Sequence, residues 1–216
     1  MVVMARDRDV LVLEPNVFRD LAWAGQRLSR GSGSIAGTTL TIASPEVALD
    51  TAGIGAGHVA VVGGTPYEVV SRLSATQLTI SRLRERSTDA AIPPTGVTSQ
   101  ETTITTFRPQ IALVESQVLR MAGFEPDGSE GPGRLPASAV RVDAELTRLV
   151  CLGALAVIWS AASGLLGERS AGWTRAEWYR RRFEEERMRV SVAVDSGGDG
   201  VVEARRALRA ISMVRG

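Results

Sequence analysis

His58-Val-Ala-Val-Val-Gly-Gly-Thr-Pro-Tyr-Glu-Val-Val-Ser-Arg72 contains two short runs, His58 to Val62 and Tyr67 to Arg72, around a Gly63-Gly64-Thr-Pro66 turn. Both runs are rich in β-branched residues, and the turn has the residues that reverse a chain between paired strands. The same grammar recurs at Thr38 to Ile42, Gln77 to Arg82 and Thr102 to Phe107. Residues 31–107 therefore read as a small antiparallel β unit of roughly five or more strands. It holds four arginines and six acids, a net of −2.

On either side of this unit the period changes. Val17, Phe18, Leu21, Trp23, Ala24 and Leu28 recur near helical spacing, so Glu14 to Leu28 reads as a helix, with Pro15 at its start and Gly31-Ser-Gly-Ser34 at its end. After Arg108-Pro109, the residues Ile111, Val114, Val118, Leu119 and Ala122 mark a second helix. Glu125 to Pro136 is dense in Pro, Gly and acid and reads as a loop. A long helix is expected from Asp143 to Leu166, and a charged one after it, with Thr174 and Glu177 as a capping box. Val190 to Val194, the turn Asp195 to Gly200 and the residues from Val201 onward suggest a closing hairpin. The expected fold is thus mainly α. Residues 1–30 and 108–216 would form a helical bundle, 31–107 an inserted antiparallel β domain, and the end of the chain a short extension.

All 25 basic residues are arginine, and the net charge is +1. With 44% hydrophobic and 23% charged residues, the chain is neither disordered, nor collagen-like, nor a basic nucleic-acid tail. A near-neutral balance argues against sequence-specific DNA binding through bulk charge. Cys151 and His58 are each the sole residue of their type, so no intrachain disulfide or multi-histidine metal site can form. Met1 to Val10 has no signal-peptide core, which makes the cytoplasm or a virion the expected location.

Few motifs survive a reading for chemistry. Gly53-Ile-Gly-Ala-Gly57 lacks the third glycine of a dinucleotide fingerprint, and without lysine there is no Walker A loop. It reads as a glycine-rich turn, with His58 a strand-end residue. Asp195 and Asp199 resemble the start of a calcium loop, yet Gly197 replaces one acid and Arg206 stands where a bidentate Glu is needed, so a plain turn is favoured. The uncharged run Leu149 to Gly167 has 19 residues, enough for a single membrane span. Nine of them are Gly, Ala or Ser, which favours a buried helix with Cys151 inside it, and membrane association is the alternative. Arg180–Glu184, Arg181–Glu185 and Arg182–Glu186 stand at i,i+4, as a solvated, self-paired face would. From Glu168 to Gly216 there are eleven arginines against eight acids, so the C-terminal end carries the positive excess. No catalytic set, metal cluster or cofactor site emerges, and no enzyme activity is expected.

Glu14-Pro-Asn-Val-Phe-Arg-Asp-Leu-Ala and Trp178-Tyr-Arg-Arg-Arg-Phe-Glu-Glu-Glu-Arg187, the latter running into Val190 to Gly200, resemble tailed-bacteriophage head-to-tail adaptor proteins. The resemblance covers Glu14 to Ser29 and Arg108 to Gly216, and leaves out the β unit. It implies a virion structural protein at the head–tail interface, assembled in the host cytoplasm as a ring of commonly twelve identical subunits. The ring would dock under the portal, meet a tail or stopper protein, and let DNA pass non-specifically, with no membrane and no cofactor. Ala154, Ala161 and Trp159 would pack subunits, Arg180, Arg181 and Arg182 would face the channel or an interface, and Arg205, Arg206, Arg209 and Arg215 would lie in a portal-contacting tail. The β unit is outside the minimal adaptor plan and could touch the capsid.

Overall fold

The computed structural model describes residues 2–126, 135–166 and 170–208. The chain divides into two units, Arg6–Phe107, and Met1–Ala5 together with Arg108–Gly216.

The first unit opens with two short helices, α1 (Asp7–Leu13) and α2 (Val17–Asp20). Six strands follow: β1 (Arg27–Ala36), β2 (Thr39–Ala43), β3 (Val59–Val62), β4 (Thr65–Arg72), β5 (Gln77–Ser81) and β6 (Val97–Thr105). They close into an antiparallel barrel in the order β1-β2-β5-β4-β3-β6, with β6 returning to β1. Closure leaves no open edge. Leu40 and Ile42, Ala60 and Val62, Leu78 and Ile80, residues two apart on their strands, share one core with Ile104 from β6. Register shifts in β1, at Arg27/Ser29 and Gly33/Ile35, and in β4, at Val69/Ser71, supply curvature.

This barrel corrects the expected fold class. The described residues are 36% helix and 29% strand, so the chain is not a mainly α bundle. Of the helix expected over Glu14 to Leu28 only the single turn α2 forms as α-helix. Leu21 takes extended dihedrals after α2, and Arg27 already belongs to β1. Two aromatic residues of that stretch meet Phe107 instead, Phe18 tilted and Trp23 edge-on, with ring centroids 4.8 and 5.7 Å away. Gly31-Ser-Gly-Ser34, expected to stop a helix, lies inside β1 instead. Gly33 is there for its missing side chain, because a Cβ would collide with the Thr102 hydroxyl of β6.

The second unit contains three helices, α3 (Arg108–Met121), α4 (Ala144–Leu166) and α5 (Ala171–Arg187). α3 turns Ile111, Val114, Val118 and Leu119 inward, the face expected from its spacing. α4 begins where expected: Asp143 accepts the Leu146 backbone N–H at 2.8 Å, which caps the helix. It is apolar nearly all round and packs on both other helices, with Leu149, Cys151, Ala154, Leu155 and Ile158 all buried. It is long and apolar enough to cross a membrane, yet 67% of that window is buried by the chain itself. α5 presents Gly172, Ala176, Tyr179 and Phe183 to α4. Its cap is Ser170, whose hydroxyl accepts the Trp173 N–H at 3.3 Å, rather than Thr174. Helix therefore starts four residues earlier than the capping-box pattern suggests.

Three short strands complete this unit. β10 (Ser191–Val194) pairs antiparallel with β11 (Ala204–Ala207) and with β9 (Val140–Arg141), so the expected hairpin forms and gains a third strand. A two-residue parallel pair, β7 (Phe124–Glu125) with β8 (Leu135–Pro136), flanks the segment 127–134.

Candidate functional site

The outer face of α5 follows directly from its inner one. With Tyr179 and Phe183 inward, the intervening Arg180, Arg181 and Arg182 are thrown outward, their side chains 56%, 70% and 52% exposed. Of the three i,i+4 pairs expected, only Arg181–Glu185 forms among the described residues, at 3.9 Å. Arg180 turns back to Glu177 at 2.9 Å, and Arg182 reaches Glu185 at 3.4 Å, both at i,i+3 spacing. Glu186 is drawn across to Arg148 of α4 at 3.2 Å, which removes it from Arg182. Trp178 is half exposed beside this row, with the Arg182 guanidinium 5.3 Å from its ring centre. The face carries fixed charges that partly neutralise one another, in water-exposed pairs worth at most about 1 kcal/mol each.

The C-terminal arginines divide by role. Arg205 is exposed on β11 and, among the described residues, donates only a long bond, 3.4 Å, to the Ser191 hydroxyl. Arg206 is half buried: it stacks over Phe124 at 5.1 Å and donates to the carbonyls of Ala122 and Gly123 at 3.2 and 3.3 Å. Those carbonyls close the end of α3, so Arg206 anchors the hairpin to that helix terminus. Arg187 adds a second tie, from the end of α5 to the Leu208 carbonyl at 3.5 Å. Arg209 and Arg215 lie outside the described residues.

The three residues proposed to pack subunits occupy different depths. Ala154 is fully buried within the three-helix unit. Trp159 is 4% exposed, with Arg175 stacked on its ring at 4.6 Å and its indole N–H without a partner among the described residues. Ala161 alone faces outward.

The loop segments have local work. Both carboxylate oxygens of Asp195 accept backbone N–H groups inside the turn, from Gly198 at 2.7 Å and Gly200 at 2.9 Å. Asp199 accepts the Val201 N–H at 2.9 Å. A pair of acids thus engaged is a turn device, and among the described residues no group of three His, Cys, Asp or Glu could hold a metal ion. His58 bonds through Nδ1 to the backbone of Gly55 within its own loop, at 2.9 Å from the carbonyl. The loop runs into β3, not into a helix whose N-terminus could hold a phosphate.

Three buried carboxylates escaped sequence reading. Glu115 of α3 accepts the N–H groups of Met4 at 2.7 Å and Ala5 at 3.1 Å, and the Arg108 guanidinium at 2.9 and 2.5 Å. Asp7 accepts the Thr106 hydroxyl at 2.7 Å and the Phe107 N–H at 2.8 Å. Glu68, wholly inaccessible, accepts the Nε–H groups of Arg8 at 2.7 Å and Arg84 at 2.5 Å, and the Arg84 backbone N–H at 3.1 Å. Two left a trace: Glu115 interrupts an apolar helix face, and Glu68 stands inside a β-branched run. No family model, curated protein or solved structure matches the chain.

Proposed function

We propose that this chain is a structural protein of a phage virion, a head–tail adaptor that assembles as a ring of about twelve copies under the portal. The observation that carries the reading is the order and chemistry of the second unit. A long small-residue helix, α4, is followed by the charged helix α5 and by a hairpin whose exposed strand carries Arg205. In this reading the α5 row Arg180–Arg182 faces the channel or a neighbouring subunit. Its guanidinium groups are exposed but already engaged by Glu177 and Glu185, so they touch passing DNA weakly and without sequence preference. DNA must slide, and strong contacts would stall it. The hairpin and the tail beyond it reach the portal, a tail or stopper protein closes the other side, and the barrel meets the capsid.

Native mass spectrometry of the purified full chain, alone and with a portal, tests this. The expected species is a multiple of 23.0 kDa near twelvefold. Reversal of Arg180, Arg181 and Arg182 to Glu should break up that species or lower DNA retention in assembled particles. A chain that stays monomeric in both samples, or that needs detergent to remain in solution, removes the ring reading.

A further inference from the structure

Three arginines of the barrel unit, Arg6, Arg8 and Arg84, share with Asp9 and Ser87 the wall of a cavity of ≈ 300 Å³. Two of the three are held rigidly. Arg8 and Arg84 have side chains 10% and 5% exposed, and both are clamped by the inaccessible carboxylate of Glu68. Arg8 also donates to Asp9 at 3.2 Å and to the Arg84 carbonyl at 2.8 Å. Arg84 donates Nη1–H to the Asp89 carbonyl at 2.6 Å, while the Asp89 carboxylate is taken by the Arg86 backbone N–H at 2.9 Å.

The charge count around the cavity does not close. Three guanidiniums face two carboxylates, Asp9 and Glu68, and both carboxylates are consumed by the hydrogen bonds just given, with Asp9 accepting the Arg6 backbone N–H as well. One positive charge is left beside two arginines that water hardly reaches. That charge belongs to Arg6, which is exposed, and it adds to the field of the nearly inaccessible Arg84 on an anion that enters the cavity. Donors are also left over. Arg6 Nε and Nη2, Arg84 Nη2 and the Ser87 hydroxyl make no hydrogen bond among the described residues. Arg6 itself lies across the glycine loop. Its Nη1 reaches the Ala56 carbonyl at 3.4 Å, and its stem occupies the space where Gly57, at φ +93°, lacks a Cβ. Any side chain at residue 57 would displace it.

We propose that this cavity is an oxyanion site that takes a phosphate group through Arg6, Arg84 and Ser87. Two guanidiniums and a hydroxyl on the wall of one cavity match an anion with three acceptor oxygens better than a carboxylate with two. The site belongs to the barrel and stands whether or not the chain forms a ring. The phosphate is either a free ion or a phosphate of a nucleic-acid backbone, since both present the same oxygens.

Calorimetric and thermal-shift titration of the full chain with inorganic phosphate, at ionic strength held constant with sodium chloride, tests it. Phosphate should bind saturably and raise the melting temperature, and acetate should not. Arg6 is exposed, so Arg6→Gln should keep the far-UV circular dichroism and melting temperature of the anion-free protein while binding phosphate roughly tenfold more weakly, the loss expected for one charge-assisted bond. Ser87→Ala should weaken binding less. A short single-stranded oligonucleotide distinguishes the sources. Binding that Arg6→Gln weakens and phosphate displaces assigns the site to a nucleic-acid backbone, and binding of inorganic phosphate alone assigns it to the free ion. Equal effects of phosphate, acetate and chloride, or wild-type phosphate affinity in Arg6→Gln, overturn the proposal.

Discussion

Gly153 of α4 lies against Phe183 of α5 so closely that a Cβ at this position would stand 3.0 Å from the ring, and 2.6 Å from Val114 Cγ1 of α3. All three helices of the second unit meet at this absent side chain. Gly153→Ala should therefore destabilise the unit by about 1–3 kcal/mol despite the better helix propensity of alanine, because neither neighbour can retreat from a packed core. Urea denaturation reads the change. A variant as stable as the wild type, or more so, would mean the helices are looser than described.

Ala154 and Ala161, seven residues apart, separate folding from assembly. Ala154 is fully buried, so Ala154→Leu should cost about 1–3 kcal/mol by overpacking in the isolated chain. Ala161 is exposed, so Ala161→Trp should leave monomer stability unchanged and disturb the ring. Melting temperature and native mass, measured on both variants, should respond in opposite ways; parallel responses would place Ala161 outside any subunit contact.

Glu68 is the sole carboxylate described between Arg8 Nε and Arg84 Nε. Glu68→Gln keeps the shape but leaves the buried Arg84 without a carboxylate and Arg8 with Asp9 alone, at a cost of about 3–5 kcal/mol to the barrel. Chemical denaturation followed by a barrel-specific probe such as Trp23 fluorescence measures it. A loss below 1 kcal/mol would indicate that water reaches the cluster.

Asp195 offers a test of the turn reading. Replacing it with Asn removes one acceptor oxygen and should cost about 1 kcal/mol through the Gly198 or Gly200 bond. Calcium should leave the melting temperature of the wild-type chain unmoved, since the carboxylate is already spent on the backbone. A calcium-dependent rise would reverse that assignment.

Much of this architecture was written in local pattern. The β-branched runs at Thr38 to Ile42 and His58 to Arg72 mark strands because such residues suit a pleated, largely buried surface, and Asp143 announces α4 because capping is a near-neighbour event. β1 was hidden for the opposite reason. Its sequence, Arg27 to Ala36, contains one bulky apolar residue, Ile35, after the entry residue Leu28, and its glycines serve partners far along the chain, Thr102 above all. The same distance concealed the arginine cavity. Arg6, Arg8, Gly57 and Arg84 are dispersed over the sequence and meet only when the barrel closes, whereas the arginine run on α5 is visible because its members adjoin. The helix expected over Glu14 to Leu28 shows the complementary error: its apolar residues serve different partners, Phe18 and Trp23 packing on Phe107 and Leu28 on the barrel core.

The paired ends of the barrel unit bear on inheritance. Asp7 holds Thr106 and Phe107, so the chain leaves this unit beside the point where it entered. In the other unit Glu115 grips both Ala5 and Arg108, the two residues that would become neighbours if everything between them were cut out. A gene segment bounded in this way can be acquired, exchanged or discarded in one recombination event with both junctions already matched.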